Sequence, residues 1–135
     1  MHKPFLATGA VLGGLAVILG AFGAHGLEKL TDDAKALEGF RTGVQYQMYH
    51  ALALLITAVL FVKQPSKNIQ WAGRCFITGV VLFSGSLYLL TFLKIQGSNA
   101  TRFVGPVTPI GGLFFILGWL LLVIGILNMK SDRQA

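Results

Sequence analysis

Residues 5–24 read FLATGAVLGGLAVILGAFGA, an apolar run in which Thr8 is the only polar side chain. These 20 residues would form about 30 Å of α-helix, which matches the hydrocarbon core of a bilayer. A cleaved signal peptide is the alternative, because Lys3 precedes the run and small residues end it. Signal peptides have apolar regions of only about 7–15 residues, so the length favours a membrane span.

Three further apolar stretches follow, at residues 43–62, 71–93 and 110–128. The overall composition agrees with them, because 54% of the 135 residues are hydrophobic and only 12% are charged. A soluble domain usually has about a quarter of its residues charged. Four spans and short loops use up the chain, so we expect residues 1–135 to form a single transmembrane domain. The sequence therefore predicts an all-α integral membrane protein, a four-helix bundle.

The second span is predicted to belong to a longer helix. Apolar residues recur in steps of three and four from Leu37 to Leu55, which indicates one continuous helical face from the surface into the membrane. The hydrophilic segment Thr31-Asp32-Asp33 predicts the start of this helix, since hydroxyl and carboxylate groups cap free backbone N–H groups. Lys63-Gln64-Pro65 predicts its end.

The distribution of lysine and arginine gives a small bias in orientation. If the N-terminus is inside, the inner side carries Lys3, Lys63, Lys67, Arg74, Lys130 and Arg133, and the outer side carries Lys29, Lys35, Arg41, Lys94 and Arg102. Under the positive-inside rule, six basic residues against five favour this orientation, so both termini are predicted to be cytoplasmic. Lipid is then the main partner of the chain.

Small residues recur at seven-residue intervals in two spans. Gly111, Gly118 and Gly125 form one series, and Gly9, Ala16 and Gly23 form another. Such repeats allow helix backbones to approach closely with a left-handed crossing. Gly9 and Gly13 also match the GxxxG pattern. These residues are expected to pack helices within one bundle or against a second copy, so a homo-oligomer or a larger membrane complex stays open.

Polar side chains are concentrated in the outer half of the predicted bundle. His50 lies 12 residues before Val62, which places it about 18 Å above the inner edge of the core. The candidate cluster comprises His25, Tyr46, Gln47, Tyr49, His50, Ser84, Tyr88 and Thr108. Two interpretations stay open: interhelical hydrogen bonds, or an outward-facing pocket for a small ligand. In either case His50 should face the interior and bond to Gln47, Tyr46 or Ser84.

The residue types present argue against several classes of function. Cys75 is the only cysteine, so an intrachain disulfide or a multi-cysteine metal site is excluded. His25 and His50 differ by about 10 Å in depth on straight helices, and no haem or zinc motif accompanies them, so no metal or cofactor is predicted. No nucleophile–base–orienter set can be assembled, so an enzyme is not expected. The net charge is +6, but the basic residues flank the apolar runs and do not form one patch, which disfavours nucleic-acid binding.

Several short motifs, taken together, resemble a known family. They are GAFGAHG at residues 20–26, Thr42-Gly43, Tyr46-Gln47, HALA at 50–53, FSGSLY at 83–88, TPIGG at 108–112 and Gly118-Trp119. In order and spacing they are similar to the YgdD-like small inner-membrane proteins, domain-of-unknown-function family 423. The resemblance implies a four-helix protein of the bacterial plasma membrane, and the family has no established activity.

The function that the sequence favours is a non-enzymatic structural or assembly component of the cell membrane. The alternative is small-solute or lipid binding, or transport, through an outward-facing polar pocket. No Asp, Glu, Lys or Arg falls in the middle of a span, where coupled transporters and proton pumps usually place an ionisable group.

Overall fold

The structure is a computed structural model that describes residues 2–131. Its α-helices are α1 (Lys3–His25), α2 (Ala34–Lys63), α3 (Lys67–Gly79), α4 (Gly85–Ile95), α5 (Thr101–Val104) and α6 (Val107–Leu127). A 3-10 turn at Leu27–Lys29 follows α1, and a π-helical segment at Val80–Ser84 joins α3 to α4. Within residues 2–131, four helical spans are long and apolar enough to cross a membrane. The predicted all-α membrane bundle is confirmed.

Helix α2 is the long helix that the hydrophilic segment predicted. Asp33 caps it, because its Oδ1 accepts hydrogen bonds from the N–H groups of Lys35 at 2.9 Å and Ala36 at 3.2 Å. The helix has 30 residues and ends at Lys63. Its length is about 45 Å, which exceeds the thickness of a bilayer core, so its first turns extend beyond the hydrocarbon.

The third and fourth spans differ from the sequence prediction at their bounds. The third helix begins at Lys67 instead of residue 71, and its α-helical pattern is interrupted by the π-helical segment. Helix α6 begins at Val107, three residues before the predicted start, with Pro106 as its N-cap. Pro109 lies in the first turn of α6, where a proline costs no intrahelical hydrogen bond.

Helix α2 occupies the centre of the bundle. It packs along α1 on one side and against α3, the π-helical segment and α4 on the other, while α6 packs against α3 and the π-helical segment. Consecutive spans run antiparallel, so the two described ends of the chain meet at one end of the bundle. There the ring of His2 lies 4.9 Å from that of Phe61, and the N–H of Lys130 donates to Gln64 at 2.8 Å.

The seven-residue series of α1 faces α2. Gly9, Ala16 and Gly23 are all buried. A Cβ atom on Gly9 would lie 3.1 Å from the carbonyl oxygen of Ala51, and one on Gly23 would lie 2.9 Å from the Phe40 ring. Gly13 is different, because the nearest atom to its Cβ position is 3.9 Å away, an ordinary contact. The close approach is therefore made along the seven-residue series and not by the Gly9–Gly13 pair.

The series of α6 faces α3 and the π-helical segment. Gly111, Gly118 and Gly125 are buried. A Cβ atom on Gly118 would lie 2.7 Å from the Phe76 ring, and one on Gly125 would lie 2.6 Å from Ile69. Gly111 lies against the backbone of Phe83, with no room for a side chain. Glycine at these positions sets the distance between the third and fourth spans.

Candidate functional site

Gln47 connects three helices in the half of the bundle that is away from the described chain ends. Its amide nitrogen donates to the carbonyl of Leu12 in α1 at 2.8 Å, and its Oε1 accepts from the hydroxyl of Tyr88 in α4 at 2.6 Å. The absence of a side chain on Gly43 allows this contact, because a Cβ atom there would lie 2.9 Å from the Tyr88 ring. Gln47 is 3% exposed, so both hydrogen bonds are shielded from solvent and lipid.

Ser84 and Thr91 join the third span to main-chain carbonyls of α2. The hydroxyl of Ser84 donates to the carbonyl of Gly43 at 2.6 Å. The hydroxyl of Thr91 lies 3.3 Å from the carbonyl of Ala36 and 2.9 Å from the carbonyl of Leu87, which precedes it by one turn in α4. Both side chains are buried, and each hydroxyl proton is already used within the protein. These contacts fix the third span against α2.

His50 makes one hydrogen bond within α2 and one to α6. Its Nδ1 lies 2.7 Å from the main-chain carbonyl of Tyr46, and its Nε2 lies 3.1 Å from Nε1 of Trp119. An indole nitrogen can only donate and a carbonyl can only accept. The ring is therefore neutral, with its proton on Nδ1. His50 faces the interior and bonds to Tyr46, as expected, but its partner is the main-chain carbonyl of Tyr46 and not the side chain.

Aromatic rings enclose His50. The Phe115 ring is stacked on it at a centroid distance of 3.6 Å and an angle of 9°, and the Phe76 ring lies 5.5 Å away. Trp119 contacts both His50 and Phe76, at 5.9 Å and 5.1 Å. His50 is only 4% exposed. The environment leaves no face of the imidazole for a ligand, so its chemistry is that of an interhelical hydrogen bond.

A third contact joins α4 to the start of α6. The hydroxyl of Ser86 donates to the carbonyl of Phe83 at 2.8 Å and lies 2.6 Å from the hydroxyl of Thr108. Because the proton of Ser86 is used by Phe83, Thr108 is the donor of the second bond. Thr108 is therefore part of the contact between α4 and α6, at the end of the bundle away from the described chain ends.

Two members of the candidate cluster do not join it. Tyr49 is 56% exposed, and its ring lies 5.9 Å from that of Tyr46. It directly precedes His50, and successive residues of a helix point about 100° apart, so an inward His50 turns Tyr49 outward. His25 is the exposed last residue of α1. Counting residues along a helix gives depth but not direction, and these two assignments rested on depth alone.

The structure does not bring the remaining polar residues into a pocket. Every buried side-chain nitrogen or oxygen within residues 2–131 has a hydrogen-bond partner in the protein. Five described cavities, of about 170 to 380 Å³, open on the outer surface of the bundle, and none is lined by Gln47, His50 or Tyr88. The geometry therefore favours interhelical hydrogen bonding over the outward-facing polar pocket.

Comparison with known proteins places the chain in a family. The family described as "Protein of unknown function (DUF423)" matches residues 19–112, which include α2, the third span and the hydrogen bonds from Tyr88 to Gln47 and from Ser84 to Gly43. The chain belongs to the DUF423 family. This confirms the resemblance drawn from the short motifs. No solved structure matches the chain.

Relatives of this DUF423 chain occur in bacteria and in a eukaryote, and their names describe them as membrane proteins. UPF0382 membrane protein YwdK of Bacillus subtilis is 46% identical over 90% of this chain and 94% of its own length. A UPF0382 membrane protein of Haemophilus influenzae is 39% identical over 97% and 99%. One of Schizosaccharomyces pombe is 42% identical over 82% and 90%. The chain is thus a multi-pass membrane protein of an uncharacterised family.

Sequence reasoning missed Trp119 and Phe115 as the partners of His50 in this DUF423 chain. A signal was available for Trp119, because an indole N–H within a membrane span needs an acceptor. Counting from Asn128 places Trp119 about 14 Å from the same edge of the hydrocarbon core from which His50 lies about 18 Å, so the two residues are within about one helical turn in depth. Phe115 gave no comparable signal, because a phenylalanine in an apolar helix is equally suited to lipid.

The described residues offer no group of metal ligands. Among residues 2–131, no three His, Cys, Asp or Glu side chains lie close enough to hold one metal ion. Cys75 is buried in α3 as a free thiol. The buried polar side chains of the DUF423 chain connect the four spans, since Gln47 bonds to α1 and α4 and His50 bonds to α6.

Proposed function

We propose that this protein is a non-catalytic component of the plasma membrane that acts by assembling with further copies of itself in the plane of the bilayer. The observation that carries the proposal is that every buried polar side-chain group within residues 2–131 is paired. A catalytic or transport site needs polar groups that can turn to a substrate. Here His50 uses both ring nitrogens, and Gln47 uses its oxygen and its nitrogen, in contacts within the bundle.

The lipid-facing surface is then the part of the molecule that meets other molecules in the membrane. Helix α1 is the span with the fewest enclosed residues, because its neighbour is chiefly α2. Its exposed residues include a series of small side chains, Ala7, Ala10, Gly14 and Ala21. At about 100° per residue these four lie on the side opposite Gly9, Ala16 and Gly23. Small residues allow two membrane helices to approach closely.

The proposal is tested by substituting Gly14 and measuring the oligomeric state. No atom lies within 4 Å of its Cβ position, so a leucine there fits the isolated bundle and blocks only an approach from outside. We expect the wild-type chain to form oligomers in lipid nanodiscs and Gly14→Leu to dissociate them at least about tenfold more readily, a cost of about 1.4 kcal/mol. Single-molecule photobleaching steps report the copy number.

Gly85→Leu is the matched control, because Gly85 also lies in a span and has no atom within 4 Å of its Cβ position. It should leave the copy number unchanged. The assembly proposal fails if the wild-type chain is monomeric at native lipid-to-protein ratios. The assignment of the contact to α1 fails if the oligomers of Gly14→Leu and Gly85→Leu dissociate equally readily.

A further inference from the structure

The charges of the bundle are distributed unequally between its two ends. We call the basic end the one formed by the start of α1, the α2–α3 connection and the end of α6. Its exposed basic residues are Lys3, Lys63, Lys67, Arg74 and Lys130. Within residues 2–131 it carries no Asp or Glu, because Glu28, Asp32, Asp33 and Glu38 all lie toward the opposite end. The described part of the basic end therefore carries only positive charges, which attract anions; Asp132 lies outside the described residues.

An apolar groove between α1 and α2 leads to the basic end. One cavity of about 380 Å³ is lined by Leu6, Leu55, Ile56 and Val59, among others, and a second of about 290 Å³ by Leu6, Val59, Val62 and Lys63. The two cavities share Leu6 and Val59, so they lie next to each other along the groove. From Leu55 to Lys63 the groove extends about 12 Å along α2. Its only charged lining residue, Lys63, stands at its end.

The packing of α1 explains why this groove is open. Phe5 turns away from it, into a space beside Gly73 of α3 where a side chain on residue 73 would overlap the Phe5 ring. Gly9, one turn further along, holds α1 tightly against Ala51 and Leu55. Between these two contacts, the lipid-facing side of α1 contributes only Leu6 to the groove.

A second polar group lies beside the end of the groove. His2 lines a neighbouring cavity of about 210 Å³ together with Phe61, Val62 and Pro65, and Val62 also lines the groove. The Nδ1 of His2 accepts the N–H of Phe5 at 3.4 Å, so Nε2 carries the ring proton. His2 and Lys63 thus offer two donors next to the apolar groove.

We propose that this groove binds an anionic phospholipid, with one acyl chain along Leu55, Val59 and Val62 and the phosphate group at Lys63. The apolar lining fits a hydrocarbon chain, and the ammonium group of lysine is a suitable point charge for phosphate. Basic pockets next to membrane helices recognise anionic headgroups in this way. The inference goes beyond the proposed function and does not depend on the oligomeric state.

Native mass spectrometry with defined lipids tests the charge part of this proposal. Purified chain is titrated with phosphatidylglycerol and with phosphatidylethanolamine of the same acyl chains. We expect a preference for phosphatidylglycerol, and Lys63→Gln should weaken its binding about fivefold, since one lysine contributes about 1 kcal/mol near an anionic surface. Lys94→Gln is the matched control, because Lys94 is an exposed lysine in the last turn of α4, at the opposite end.

A second pair of variants tests the groove itself. Val59→Trp fills it from a position that is 52% exposed, and Ile116→Trp places the same side chain on α6 at a position that is 59% exposed. Val59→Trp should lose both lipids, whereas Ile116→Trp should retain them. The proposal is overturned if wild-type chain binds the two lipids equally, if both lysine variants weaken phosphatidylglycerol equally, or if Val59→Trp binds like Ile116→Trp.

Discussion

The hydrogen bond between Trp119 and His50 joins α6 to α2, with His50 buried and Trp119 45% exposed on the surface of the bundle. We predict that Trp119→Phe lowers the free energy of unfolding by about 1–3 kcal/mol, because Nε2 of His50 is left buried without a donor. His50→Ala should cost at least as much, since it strands the indole N–H of Trp119 and also leaves a cavity. Unfolding of the purified chain in mixed micelles by a denaturing detergent measures both.

Trp71→Phe is the control substitution for Trp119→Phe. Trp71 is exposed and contacts the Arg74 guanidinium at 4.8 Å, with no buried partner to strand. Its substitution should change stability by no more than about 0.5 kcal/mol. If Trp119→Phe is as mild as Trp71→Phe, the interhelical bond contributes nothing to the fold.

At the scale of the helix, the close approach of α6 to α3 depends on Gly118. We predict that Gly118→Ala lowers stability by about 1–3 kcal/mol, because the added Cβ must displace the Phe76 ring. Gly118→Leu should disrupt folding or assembly outright. Gly112→Ala is the matched substitution on the same helix, where the nearest atom is 3.9 Å away, and it should be tolerated.

Thermal melts in detergent and native gel migration compare these variants. Equal melting temperatures for Gly118→Ala and Gly112→Ala would show that the third and fourth spans separate without cost. In that case the seven-residue series of α6 does not set the packing distance.

The sequence predicted the four helical spans better than the π-helical segment that interrupts the third span. The seven-residue spacing of Gly111, Gly118 and Gly125 carries information about direction, because residues seven apart return to the same side of a helix. The π-helical segment at Val80–Ser84 was not predicted, since one extra residue in a turn changes neither composition nor hydropathy. For the polar cluster, depth alone placed Tyr49 beside His50, although neighbouring residues on a helix face different ways.

At the scale of the whole molecule, the antiparallel spans place the described chain ends on the same side of the membrane. We predict that a reporter fused at Lys67 reports the cytoplasm and one at Asp33 reports the outside, following the excess of lysine and arginine, six against five, on the inner side. Arg133, included in that count, lies outside the described residues, and a fusion after it should also report the cytoplasm. An external signal at Lys67 would reverse the orientation.

The π-helical segment has a consequence for how the length of this chain can change. A π turn accommodates one residue more than the α-helical turn around it. Deleting one residue between Val80 and Phe83 would therefore restore a regular α-helix while keeping Ser84 and the residues of α4 in their present directions. A deletion within α6 would instead rotate every residue beyond it by about 100° and move glycines out of the contact with α3. Single-residue deletions in the third span of this family should accordingly be accommodated at the π-helical segment.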